Sequence, residues 1–107
     1  MDWSDLPMHL REQAVFLAGE PAWPREAAQE VIISLRDKEQ AILGVEAWFP
    51  EQGMPRVVGW SDYDIPKSSD WKEFVRLNAL QALSTIDNSN LQEALYNLTW
   101  SGENDSG

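Results

Sequence analysis

The nine residues Ala41–Phe49, AILGVEAWF, constrain this chain more than any other stretch. They form its most concentrated apolar run, and a Pro/Gly-rich segment stops them. β-branched and aromatic residues alternate with others, which is the pattern of a strand. Ala41, Leu43, Val45, Ala47 and Phe49 fall on one face and are all apolar. Ile42, Gly44, Glu46 and Trp48 fall on the other and are mixed. A period of two with one apolar face predicts a sheet covered by helices on one side and partly open on the other.

The flanking sequence supplies partners for that strand. After the loop Pro50–Pro55, Arg56–Trp60 reads as an antiparallel return strand, giving a long-looped hairpin. A two-stranded sheet is marginal alone. Ala94–Trp100, where LYNLTW has strand propensity and the leucines also fit a helix, is read as a third strand. Three helices are predicted. Ser4–Ala18 has a capping serine, an apolar stripe through Leu10, Ala14 and Leu17, and Gly19 as its stop. Pro24–Glu39 opens on a proline pre-set for the first turn and carries Ala27, Ala28, Val31, Ile32 and Leu35 on one side. Asp70–Ile86 starts with capping-box spacing, Asp70 to Glu73. Its apolar face is Trp71, Phe74, Val75, Ala79, Ala82, Leu83 and Ile86. The expected fold class is α+β, a small antiparallel sheet of two or three strands packed on one face by about three helices. One domain spans residues 1–100, and 101–107, SGENDSG, is a disordered tail with nothing to bury.

Composition narrows the function classes. The 107 residues contain no cysteine and one histidine, His9, which excludes a thiolate, a disulfide framework and a multi-histidine metal site. No run suits a membrane span, and the acidic N-terminus has no signal-peptide pattern, so a cytoplasmic protein is expected. With 18 acids against 8 bases the net charge is −10, which argues against direct contact with nucleic acid or anionic lipid. That charge taken alone favours the plain reading of a soluble acidic monomer over the sharper one, a protein built for fast capture of a basic partner.

Candidate chemistry is sparse. His9 has no Ser or Cys partner for a nucleophilic triad. Asp62 and Asp64 in SDYDIPK can be imagined as metal ligands of a small hydrolase, without the glycine and further oxygens of a calcium loop. Asn97-Leu98-Thr99 matches a glycosylation sequon, relevant only to a secreted chain. The remaining constellation is aromatic and acidic. Trp60, Asp62, Tyr63 and Asp64 lie within five positions, and Glu46 and Trp48 lie on the mixed strand face. Six tryptophans are many for a small core, and tryptophan is enriched in interface hot spots. Two readings stand side by side: a binding patch of aromatic anchors ringed by carboxylates, or indoles covered by the C-terminal segment with solvated acids beside them.

The run ILGVEAWF, the segment WSDYDIPKSSDWKEFVRLNALQALSTI and the turn-helix GEPAWPREAAQEVI together resemble the immunity protein 40 family of bacterial polymorphic toxin systems. That family carries an ILGGDVY-like strand, a tryptophan-containing loop and a helix with an aromatic start; here Trp71, Phe74, Asn78, Ala82 and Ile86 stand in the helix positions. The resemblance covers roughly Gly19–Ile86. Val45 replaces a usual glycine, Glu46 an Asp, Trp48 a Tyr and Asn78 a Ser. It implies a cytoplasmic antidote without catalytic activity or cofactor, which binds a cognate toxin domain, often a nuclease. The expected toxin-binding residues are Glu46, Trp48, Trp60, Asp62, Tyr63 and Asp64, with Glu20, Trp23 and Glu51 next. The alternatives are the Asp62/Asp64 hydrolase and an acidic adaptor for another basic protein.

Overall fold

The computed structural model describes residues 2–17, 19–51, 54–62, 70–89 and 93–103, with the backbone alone at 50, 51 and 54–62. It is an α+β fold. In chain order it runs through a 3-10 turn (Trp3–Asp5), α1 (Met8–Gln13), β1 (Val15–Leu17), β2 (Glu20–Ala22), α2 (Arg25–Asp37), β3 (Ala41–Glu51), β4 (Met54–Asp62), α3 (Trp71–Asp87) and β5 (Leu95–Ser101). β3 is the centre of an antiparallel sheet of order β4-β3-β5, and β1-β2 is a small antiparallel pair. A backbone bridge links the two groups: Trp23 and Tyr96 exchange N–H···O bonds of 2.9 and 2.7 Å. Helices α2 and α3 cover one face of the larger sheet. There Val31, Ile32 and Leu35 of α2 and Ala79, Ala82 and Ile86 of α3 share one buried cluster with Val45, Ala47, Leu98 and Trp100.

The first helix is much shorter than expected. α1 ends at Gln13, and Val15–Leu17 turns back as a strand instead of continuing to Ala18. The β-branched and aromatic Val15-Phe16-Leu17 favours extended backbone. Gly19 takes φ 81°, and its left-handed conformation serves the reversal between Leu17 and Glu20, which pair across it. The Trp23 indole then donates to the Leu10 carbonyl at 2.8 Å, so a side chain from beyond the hairpin takes up a helix-end acceptor.

α2 and α3 fall where the apolar periodicity places them. Pro24 is the N-cap of α2 and not its first helical residue. Its C-terminus closes with the Gln40 N–H on the Leu35 carbonyl (2.9 Å) and the Glu39 N–H on the Arg36 carbonyl (3.0 Å). That is a Schellman closure with Glu39, at φ 58°, where glycine is usual. Asp70 caps α3 by accepting from the Glu73 N–H at 3.1 Å. At the other end of α3, Arg25 donates to the Ile86 and Ser89 carbonyls at 2.7 and 2.8 Å. A cation thus satisfies the acceptors left over at a helix C-terminus and complements its dipole.

The β3–β4 hairpin is tight and not long-looped. Pairing continues through Pro50↔Pro55 to Glu51↔Met54, so both prolines lie inside the ribbon. They are tolerated because this end of β3 runs past its last pair with β5, Trp48↔Leu95, leaving the ribbon two-stranded there. β5 is a strand, and it runs one residue further than expected: Ser101 pairs with Ala41 and is buried. Ser101 therefore belongs to the sheet and not to the tail; residues 104–107 lie outside the described residues.

Candidate functional site

The site question turns on which way β3 presents its side chains. A register shift between Ile42 and Gly44 in the pairing with β5 inserts one residue into β3. Such a bulge exchanges the two faces on either side of it. Val45, Ala47 and Phe49 face the helices as the alternation predicts, but before the bulge Ile42 joins the core cluster in place of Ala41 and Leu43. β4 stops pairing at Gly44↔Asp62, so it offers Ile42 no strand partner. Asn78 of α3 replaces one: its Oδ1 accepts the Ile42 N–H at 2.7 Å and its Nδ2 donates to the Ile42 carbonyl at 2.9 Å. Both backbone groups of a buried residue are thereby satisfied by one side-chain amide. Sequence reasoning put Asn78 on the helix without a role. Its signal was an amide standing inside an apolar stripe, four residues from Phe74 and Ala82.

On the opposite face lie Gly44, Glu46 and Trp48. The Trp48 indole donates to Glu46 Oε2 at 2.8 Å, a pairing of residues two apart on one strand face. Glu46 is half-buried, whereas Trp48 is 2 % exposed. Trp48 is therefore not the exposed anchor the alternation suggested; it is a buried ring that holds the Glu46 carboxylate. Register brings Trp60 opposite Glu46 and Asp62 opposite Gly44. A second shift in β3–β4 pairing, between Ala47 and Trp48, makes Val57 the partner of Trp48. On the β5 side Glu46 is opposite Asn97, which is buried and donates to the Pro21 carbonyl at 2.8 Å. Asn97 ties the sheet to β2, which leaves its sequon no accessible acceptor.

Four expected positions, 46, 48, 60 and 62, are thus gathered on neighbouring strands. The others are dispersed. Tyr63 and Asp64 lie outside the described residues, so of the hydrolase pair only Asp62 is described, at the end of β4. Glu51 is at the far end of the ribbon, opposite Met54, about 16 Å along the strand from Glu46. Glu20 is exposed on β2, opposite Leu17. Trp23 is fully buried, with its ring stacked on Trp3 at 6.0 Å and tilted against Trp100 at 6.5 Å. It is core material and cannot meet a partner in this fold, because it is fully buried and its indole N–H is already engaged. His9 lies on the surface as expected, but beside a carboxylate: Nε2 is 3.3 Å from Glu30 Oε2.

A second polar cluster had no counterpart in the sequence reading. Arg36, Asp37, Lys38, Glu39, Lys72 and Arg76 line an open cleft of about 520 Å³ where the end of α2 meets the start of α3. Arg76 donates to Glu73 through Nε and Nη2, which holds the Glu73 carboxyl below its ordinary range. Lys72 Nζ is 3.9 Å from Glu39 Oε1, and the Trp71 indole donates to the Glu39 carbonyl at 2.7 Å.

No family model, curated protein or solved structure matches this chain. No helix among the described residues is long and apolar enough to cross a membrane.

Proposed function

We propose that the protein is an immunity-type antidote, acting in the cytoplasm by binding a basic toxin domain, and that it works as a binder and not as a catalyst. The observation that carries this reading is the β3–β4 register, which aligns Trp60 with Glu46 and Asp62 with Gly44 on the strand face away from the helices. Aromatic and carboxylate positions side by side fit the anatomy of a protein interface, in which an aromatic anchor is surrounded by polar groups. Trp48 takes a supporting role: its N–H fixes one oxygen of Glu46, so the carboxylate is presented with less conformational freedom to lose on binding. The net charge of −10 adds long-range attraction for a domain that must itself be basic to hold phosphates. The motif resemblance supplies the class of partner, a toxin domain, often a nuclease; charge and geometry alone equally suit an adaptor for another basic protein.

The test uses the polypeptide encoded directly upstream of this chain. Stopped-flow association with that domain should be at least tenfold slower for a Glu46→Lys/Asp62→Lys variant, with a shallower dependence on salt. The melting temperature checks that the variant is folded. Unchanged association kinetics would remove the sheet face as the binding surface. A neighbourhood lacking any toxin gene, together with capture of an unrelated basic protein from the native host, would replace the antidote by an adaptor.

A further inference from the structure

Half of the chain's eight Lys and Arg residues, Arg36, Lys38, Lys72 and Arg76, line one cleft of a protein whose net charge is −10. Two of them have a local electrostatic reason to be there. Arg36 and Lys38 follow the dipole at the C-terminus of α2. Lys72 and Arg76 are not placed by a helix dipole: they stand near the N-terminus of the 17-residue α3, and their carboxylate partners, Glu39 and Glu73, are solvent-exposed. The carboxylates of the cleft, Asp37 and Glu39 in its lining and Glu73 beside Arg76, leave the four bases in excess and are poor competitors for them. The Arg36–Asp37 and Arg76–Glu73 pairs are solvent-exposed, and Lys72 approaches Glu39 only to 3.9 Å with its side chain 83 % exposed. Exposed pairs of this kind contribute little in water, so an incoming anion can displace them.

We propose that this cleft is a docking site for an acidic segment of a protein partner, a surface separate from the sheet face and of opposite charge. Its volume of about 520 Å³ lies within the usual range for ligand sites, about 300–1,000 Å³. The bases come from the ends of two helices, an arrangement suited to several carboxylates along one peptide segment more than to a single point charge. The remainder of the chain repels acidic peptides, so any binding of one is a specific signal for the cleft.

The probe is an acetylated, amidated tetra-glutamate peptide, titrated at low salt into the isotopically labelled full chain. Saturable amide shifts are expected at residues 36–39 and 72–76. The Lys38→Glu/Lys72→Glu variant, changed only at exposed positions, should bind at least tenfold more weakly; Lys38→Gln/Lys72→Gln serves if the first fails to fold. Absence of saturable shifts, or equal affinity of the variant, would overturn the proposal. So would shifts at the same amides with inorganic phosphate and none with the peptide, which would make the cleft a phosphate site. Because the probe is not the toxin, failure here leaves the reading of the sheet face standing, and the converse also holds.

Discussion

On the helix-covered face of the sheet, Asn78 commits its whole amide to the backbone of one residue, Ile42; on the opposite face, Glu46 takes the indole proton of Trp48 and remains half-exposed. The first polar group closes a gap in a ladder and ends there. The second is supported from below and still reaches solvent. The difference teaches how to tell a structural polar side chain from a candidate contact in this protein: both make good hydrogen bonds, but only one keeps accessible charge. The same distinction sorts the tryptophans. Trp23, Trp48, Trp71 and Trp100 each donate their indole N–H inside the molecule, to the Leu10 carbonyl, Glu46, the Glu39 carbonyl and Asp5 respectively. Trp23, Trp48 and Trp100 are buried rings that each reach one acceptor, the arrangement expected of a buried indole, whereas Trp71 is only partly covered.

The comparison can be broken from its structural side first. Trp100 is 1 % exposed, packs against Trp23 and reaches Asp5 Oδ2 at 3.3 Å. Trp100→Ala should lower unfolding free energy by about 3–5 kcal/mol, measured by urea denaturation, because the vacated volume lies between α2 and the hairpin side and cannot collapse. Asn78→Leu follows. It keeps the volume and leaves the buried Ile42 N–H and carbonyl without partners, at a cost of about 2–4 kcal/mol. If Asn78→Leu were neutral in the same assay, the amide would not be closing the ladder.

A smaller effect belongs to the opposite face. Glu46→Ala removes the acceptor of the Trp48 indole and should cost about 1–2 kcal/mol while moving the Trp48 indole proton resonance; Glu46→Gln should restore most of the stability. If Glu46→Ala changed neither quantity, the pair would be incidental, and Glu46 would be a surface acid like the rest. The smallest effect lies outside both faces, at the exposed Glu73–Arg76 pair. The Arg76 guanidinium hydrogen-bonds the Glu73 carboxylate and lowers its pKa from the ordinary 4.5. A lowered folded-state pKa contributes stability above the ordinary value and loses it as pH falls through the lowered one. Arg76→Ala should therefore raise the Glu73 midpoint toward 4.5 in a carboxyl-carbon NMR titration, with the slope of stability against pH flattened only in that acidic window.

Much of the frame was legible in residue order. The 3.6-residue periodicity located α2 and α3 to within a residue or two, because Ala28, Val31, Ile32 and Leu35, or Val75, Ala79, Ala82 and Ile86, repeat the same angular position. The period-two run located β3. The first helix was misread because Leu10, Ala14 and Leu17 satisfy a helical stripe by chance, and only the meeting of Trp23 with the Leu10 carbonyl reveals where the helix stops. The candidate site was half legible. Positions 46, 48, 60 and 62 come together as the hairpin implied, yet the exposure of Trp48 and Trp23 was misjudged, since an indole on a mixed strand face has the same sequence pattern whether or not another element covers it.

By itself, then, the sequence determined the α+β class, the central strand, the two long helices and an acidity that favours basic partners, because local periodicity and net charge are properties of residue order. The tertiary structure alone decided that Ile42, and not Ala41 or Leu43, joins the helix-covered face, since the bulge between Ile42 and Gly44 exchanges the faces before it and Ile42 is held by an amide 36 residues away in the chain. It alone also gathered four bases from two helix ends into one cleft. Both are long-range contacts, whose register and distance no local pattern encodes.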